Sequence, residues 1–195
     1  MFVADPPDDP DVAALYDAAF AEDGYVMNLL RAWAWRPAVH EAFLAARSML
    51  RKQTTLTSRE IAVLNVAAAS ARGNAYCAIA WGTILSTLSD SSTAAALVRG
   101  DETPALTERE RILAHWAPLV ARAPNAITRQ DVEGLRDAGL SEQEIVDATL
   151  FVAFRVAFTT VNDALGAQPD HQLVEEAPAT LLASITFGRA VGRRS

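Results

Sequence analysis

Three times in this sequence a Ser or Thr stands three residues ahead of a Glu at the head of an apolar run: Thr57 with Glu60, Thr107 with Glu110, and Ser141 with Glu144. Each pair can form a capping box, in which the hydroxyl accepts from the N3 backbone N–H and the carboxylate accepts from the N-cap N–H. That signal constrains the chain more than any other, because it fixes where three helices start. Gly139 supplies a natural C′ residue immediately before Ser141, so one helix ends and the next begins with almost no loop between them. The segments Leu56 to Ile61 and Leu106 to Arg111 also resemble each other, which is either an internal repeat or a shared capping signal.

Elsewhere the apolar residues recur at spacings of three and four: Val12, Leu15, Tyr16 and Ala19, then Leu29, Leu30 and Trp33, then Val39, Phe43, Leu44 and Leu50. Gly24 and Pro37 punctuate these runs. No period-two alternation persists anywhere, and the pattern predicts an all-α bundle. Residues 1–10, rich in Pro and Asp, read as an extended arm, with one helical domain over 11–195. The stretch from Ile145 to Leu165 is apolar nearly all round and is expected to be the most buried helix.

A chain of 195 residues can bury one sizeable core. Its net charge of −7 argues against nucleic-acid binding, which needs a concentrated basic surface, and Arg189, Arg193 and Arg194 are too few to supply one. No stretch reaches the roughly 20 apolar residues of a bilayer span, and the N-terminus lacks a basic region before an apolar run, so neither a membrane nor an export signal is expected and the reading is cytoplasmic. One cysteine excludes an intrachain disulfide, and three dispersed histidines show no metal-ligand spacing; no metal and no cofactor are expected.

That one cysteine, Cys77, falls at an informative place. Gly73 can end the Thr57 helix and Asn74 is a strong N-cap, which makes Cys77 the N3 residue of the next helix. A thiolate there gains several tenths to about 1 kcal/mol from the helix dipole, which favours reactivity. Cys77, Trp81, Ile84 and Leu88 also form one apolar stripe, and a cysteine in such a stripe serves equally well as an inert small hydrophobe.

The run Asn74-Ala75-Tyr76-Cys77-Ala78-Ile79-Ala80-Trp81-Gly82 resembles the pattern Cys-x-Tyr-Cys-x-x-x-His-Gly of the alkylhydroperoxidase D-like proteins, the superfamily that includes carboxymuconolactone decarboxylase. Similar segments extend from about residue 10 to 170, among them Leu56 to Glu60, Asn65 to Ala68 and Asn162 to Gly166, and they point to the larger, peroxidase-related branch. The resemblance implies an all-α homo-oligomer and a peroxiredoxin-type antioxidant oxidoreductase. In that family two cysteines, an acidic residue on the preceding helix and a histidine form a relay. By position, the second cysteine is Cys77, the first is Asn74, the histidine is Trp81 and the acid is Ala62. Three of the four roles are vacant. A sulfenic acid on Cys77 would therefore need an external thiol to resolve it. The general acid–base assistance worth about 10² to 10⁴-fold is missing as well.

Further candidates have plainer readings beside them. Glu60 lies on the helix before Cys77 but is explained by capping, and His115 and His40 fit as solvent-facing or hydrogen-bonded residues. Trp33 and Trp35, near Arg31 and Arg36, could line a binding surface or simply pack. Arg155, alone among Phe151, Val152, Phe154, Val156 and Phe158, needs a partner if buried: a carboxylate across a subunit interface, or an anionic ligand. Three functions stay open on these residues. The first is hydroperoxide reduction through Cys77 with an external thiol. The second is a non-redox enzyme, a decarboxylase, isomerase or cyclase of a small organic acid, using the same pocket with Tyr76, Trp81, Arg155 or His115. The third is a non-catalytic binding or regulatory protein.

Overall fold

In the computed structural model, which describes residues 1–192, the regular elements are helical and no strand occurs among the described residues. The helices run α1 (Pro10–Asp23), α2 (Asn28–Trp33), α3 (Pro37–Gln53), α4 (Ser58–Ala71), α5 (Ala75–Leu88), α6 (Ser91–Arg99), α7 (Glu108–Arg122), α8 (Arg129–Asp137), α9 (Glu142–Ala164), α10 (His171–Glu176) and α11 (Ala179–Ser184). No helix among them is long and apolar enough to cross a membrane. Arg193 and Arg194 of the basic tail lie outside the described residues.

The capping boxes form as the sequence predicts at Thr57, Thr107 and Ser141. A fourth, Thr128 with Asp131, has the shorter Asp in the place of Glu. The boxes at Thr57 and Thr107 are also linked to each other. Arg59 pairs with Glu110 at 2.8 Å and Arg109 pairs with Glu60 at 2.8 Å, so the two similar segments clasp each other reciprocally. Arg109 extends the clasp to α9 through Glu144 at 2.8 Å and the Gly139 carbonyl at 2.7 Å. The arm, residues 1–9, is outside any helix and is tied down by Phe2 N–H to the Leu165 carbonyl and by the Trp35 indole N–H to the Ala4 carbonyl.

The most buried helix is α4, not α9. Every residue from Glu60 to Ala69 is buried, because α4 packs against α5, α6, α7 and α9 at once. Helix α9 buries Ile145, Ala148, Phe151, Val152 and Phe158 but leaves Val146 and Leu150 exposed on its outer face. An apolar circumference does not decide burial; the number of neighbours does. The core has two parts. One gathers Leu64, Leu85, Leu113, Leu135, Val152 and Leu181 around α4. The other gathers Leu29, Leu30, Trp33, Tyr76, Cys77 and Phe158, with Trp81 packed against both.

Candidate active site around Cys77

Gly73, at φ 65°, ends α4 in the left-handed conformation and turns the chain into Asn74. Asn74 is the N-cap of α5: its Oδ1 accepts the Cys77 backbone N–H at 2.6 Å, and its Nδ2 donates to Asp163 Oδ1 at 2.8 Å. Cys77 is thus the N3 residue of α5, as the spacing predicts. Tyr76 beside it donates its hydroxyl to Asp170, and burial, followed by the charge of Asp170, pushes that hydroxyl far above its usual range.

The sulfur meets a cation that the sequence separates from it by 78 residues. Arg155, only 3% exposed on α9, donates from Nη1 to Cys77 Sγ at 3.3 Å and from Nε to Asn65 Oδ1 at 2.8 Å. Asn65 is itself fixed on α4 by donating to the Ile61 carbonyl at 2.7 Å. The Trp81 ring lies under the guanidinium, 5.0 Å from ring centre to guanidinium carbon, and Phe158 lies at 5.7 Å. Trp81 therefore covers Arg155. Burial pushes the Cys77 thiol above its ordinary range, and the charge and hydrogen bond of Arg155, with a weaker pull from Arg47, act in the opposite direction. At rest the sulfur is a thiol whose ionised form has a partner already in place.

Cys77 is 2% exposed, yet it lines a cavity of about 1000 Å³ between α1, α3 and α5. The wall is largely apolar, from Leu15, Leu29, Leu30, Leu44, Trp81 and Phe158, and Tyr76, Arg47, Arg155 and His40 also contribute. His40 is buried, and burial, then the charge of Arg47, lowers its titration, so a neutral imidazole faces the cavity. Burial and then Arg155 bring Arg47 down to about 10.

Of the residues singled out from sequence, Cys77, Tyr76, Trp81 and Arg155 meet at this cavity, with Asn74 bonded behind the sulfur. Glu60 does not join them: its carboxylate is taken up by Thr57 and Arg109 in the clasp. Ala62 is fully buried in the core and offers no polar group. His115, exposed on α7, borders two other surface grooves, and His40 is the histidine that lines the cavity. Asn65 and Arg47 were missed; the one signal in the sequence was an Asn set within the Ala- and Val-rich face of α4. Among the described residues, no group of three His, Cys, Asp or Glu is arranged to hold a metal ion.

No family model matches the sequence, and no curated protein matches it. Solved structures do match. A peroxidase-related protein from Silicibacter sp. TM1040 superposes with a TM-score of 0.77 at 24% identity, over 89% of this chain and 93% of its own. The alkylhydroperoxidase AhpD core of a peroxidase-related protein from Ralstonia eutropha JMP134 gives 0.70 at 23% identity, over 96% and 100%. The debrominase Bmp8, in a cysteine-to-alanine variant complexed with 2,3,4-tribromopyrrole, gives 0.72 at 15% identity, over 95% and 96%.

Proposed function

From a chain that has the alkylhydroperoxidase D-like fold, we propose a thiol-dependent reductase of small organic hydroperoxides that works through Cys77 alone. The observation that carries this reading is the Arg155 guanidinium at 3.3 Å from the sulfur, inside a cavity that admits a small organic molecule. The debrominase neighbour supports the size class, since a protein of this fold holds a brominated pyrrole.

The chemistry has two halves. The Cys77 sulfur attacks one peroxide oxygen, the S–O bond forms as the O–O bond breaks, and the thiol proton goes to the departing alkoxide, which leaves as an alcohol. Arg155 stabilises negative charge on the sulfur during the attack and then on the sulfenate oxygen. An external thiol next displaces water from the sulfenic acid to give a mixed disulfide, and a second thiol releases Cys77 as thiol together with the external disulfide. Asn74 holds the helix start, Asn65 aims Arg155, and Trp81 shields the guanidinium from solvent. In the apolar cavity the electrostatic pull of Arg155 is stronger than it would be in water.

The test is consumption of cumene hydroperoxide with excess glutathione or dithiothreitol, following sulfenic acid on Cys77 by intact mass. Replacement of Cys77 by Ser is expected to abolish consumption and labelling. Equal consumption by the two proteins would remove the enzymatic reading and leave the fold as a binding scaffold.

A further inference from the structure

The charge in the cavity is unbalanced. The guanidinium carbons of Arg155 and Arg47 lie 5.7 and 5.8 Å from the centre of the same Phe158 ring. The polar partners of Arg155 are Asn65 and the Cys77 sulfur, neither of which is an anion at rest. Arg47 has neither a hydrogen bond nor an ion pair among the described residues, and no carboxylate there lies within 4.0 Å of either guanidinium. The acidic side chains that border the cavity, Asp11, Glu22, Asp23 and Glu41, are all on exposed residues at its rim. Two cations on one apolar wall without a counter-charge beside them oppose each other, and burial first, then the charge of Arg155, lowers the titration of Arg47.

We infer that the cavity binds a monoanionic amphipathic molecule, with a carboxylate head on Arg47 and an apolar body along Leu15, Leu29, Leu44 and Leu173. A guanidinium facing an apolar wall is matched to that chemistry, because its planar fork takes a carboxylate through two parallel bonds while the chain removes apolar wall from water. Arg155 stays on the sulfur, so the two arginines divide the work: Arg47 holds the head and Arg155 serves the reacting end. Where this rests on hydroperoxide reduction by Cys77, the substrate class becomes the hydroperoxide of an amphipathic carboxylic acid. Binding of the acid itself does not depend on that reading.

The experiment uses the Cys77→Ser protein, which carries no redox chemistry, titrated by calorimetry with octanoate and with 1-octanol of equal chain length. Octanoate is expected to bind saturably and 1-octanol about tenfold or more weakly, the worth of one charge-assisted hydrogen bond. Adding Arg47→Gln should lower octanoate affinity by a similar factor and leave 1-octanol unchanged, while Arg47→Lys restores part of the loss. Equal affinities for the two probes, no saturable octanoate binding, or indifference of octanoate to Arg47→Gln each overturn the anion site. Octanoate binding alongside a parent protein, with Cys77 intact, that fails to consume hydroperoxide removes the reductase reading and leaves the anion site standing.

Discussion

Arg155 Nη1 stands 3.3 Å from Cys77 Sγ, with Trp81 stacked on the guanidinium from the same helix that carries the cysteine. The position where the family's pattern places a histidine is thus filled by the residue that shields the sulfur's cationic partner. A thiolate at Cys77 has a fixed cation beside it where the pattern has a titrating imidazole.

Removing that cation should be visible in thiol chemistry without any substrate. Because Arg155 lowers the titration of Cys77, its replacement by Met leaves a smaller thiolate fraction at any given pH. Alkylation of Cys77 by iodoacetamide, read by intact mass, is expected to slow on the order of tenfold, the loss of one hydrogen bond to a charged group. An unchanged rate would show that burial alone sets the reactivity of the sulfur.

The clasp makes a prediction about acid. Burial would raise Glu144, but the Ser141 backbone N–H and then Arg109 bring it down to about 2, and Glu60 is lowered as well, burial again opposing and the Arg109 hydrogen bond leading the pull downward. Both carboxylates ionise more readily folded than unfolded. Their stabilising contribution is complete above the ordinary carboxylate range and is lost as pH falls from about 4.5 towards about 2. Arg109→Met should cost about 1–3 kcal/mol near neutral pH and flatten the fall in stability through that acid window, measured by urea unfolding at a series of pH values.

Asn74 holds the start of α5 through two bonds, one to the Cys77 N–H and one to Asp163. Its replacement by Ala should cost about 1–2 kcal/mol in unfolding free energy, the loss of a cap and of a buried partner for Asp163. Replacement by Gly should cost less at the cap but lose the Asp163 bond equally. A thermal shift within error for Asn74→Ala would show that water takes over both bonds.

Two glycines in helices should respond in opposite directions. A Cβ on Gly82 would lie 2.6 Å from Leu181 Cδ1 and 2.8 Å from Cδ2, and Leu181 is fully buried, so it has nowhere to retreat. Gly82→Ala is expected to destabilise by about 1–3 kcal/mol through overpacking. At Gly134 the nearest atom to the new Cβ is Ile112 Cδ1 at 3.6 Å, an ordinary contact, and Gly134→Ala should stabilise by about 0.5–1 kcal/mol through helix propensity. Denaturation midpoints of the two variants falling on the same side of the parent would contradict the packing at Leu181 and Ile112.

The parts of this fold legible in the sequence are those written in local chemistry. Thr57, Thr107 and Ser141 start helices because their hydroxyls and the Glu three residues on are neighbours whatever the rest of the chain does. Asn74 and the N3 place of Cys77 are legible for the same reason. The meeting of Cys77, Asn65 and Arg155 is a product of packing between α4, α5 and α9, and only its shadow appears in the sequence, as a polar residue set within an apolar run. Arg47 carries no such mark, since an Arg on an amphipathic helix has the solvent as its ordinary neighbour. The burial of α4 over α9 likewise depends on how many helices surround each.

Helix α1 gives Leu15 and Ala19 to the cavity wall, while Val12 is its one buried residue. Helix α4, by contrast, is enclosed along most of its length and held at its start by the reciprocal ion pairs. The amides of α1 are therefore expected to exchange faster than those of α4. The wall that faces the sulfur's cavity from α1 is thus the less enclosed one, while Asn65, which aims Arg155, sits in the enclosed part of the fold.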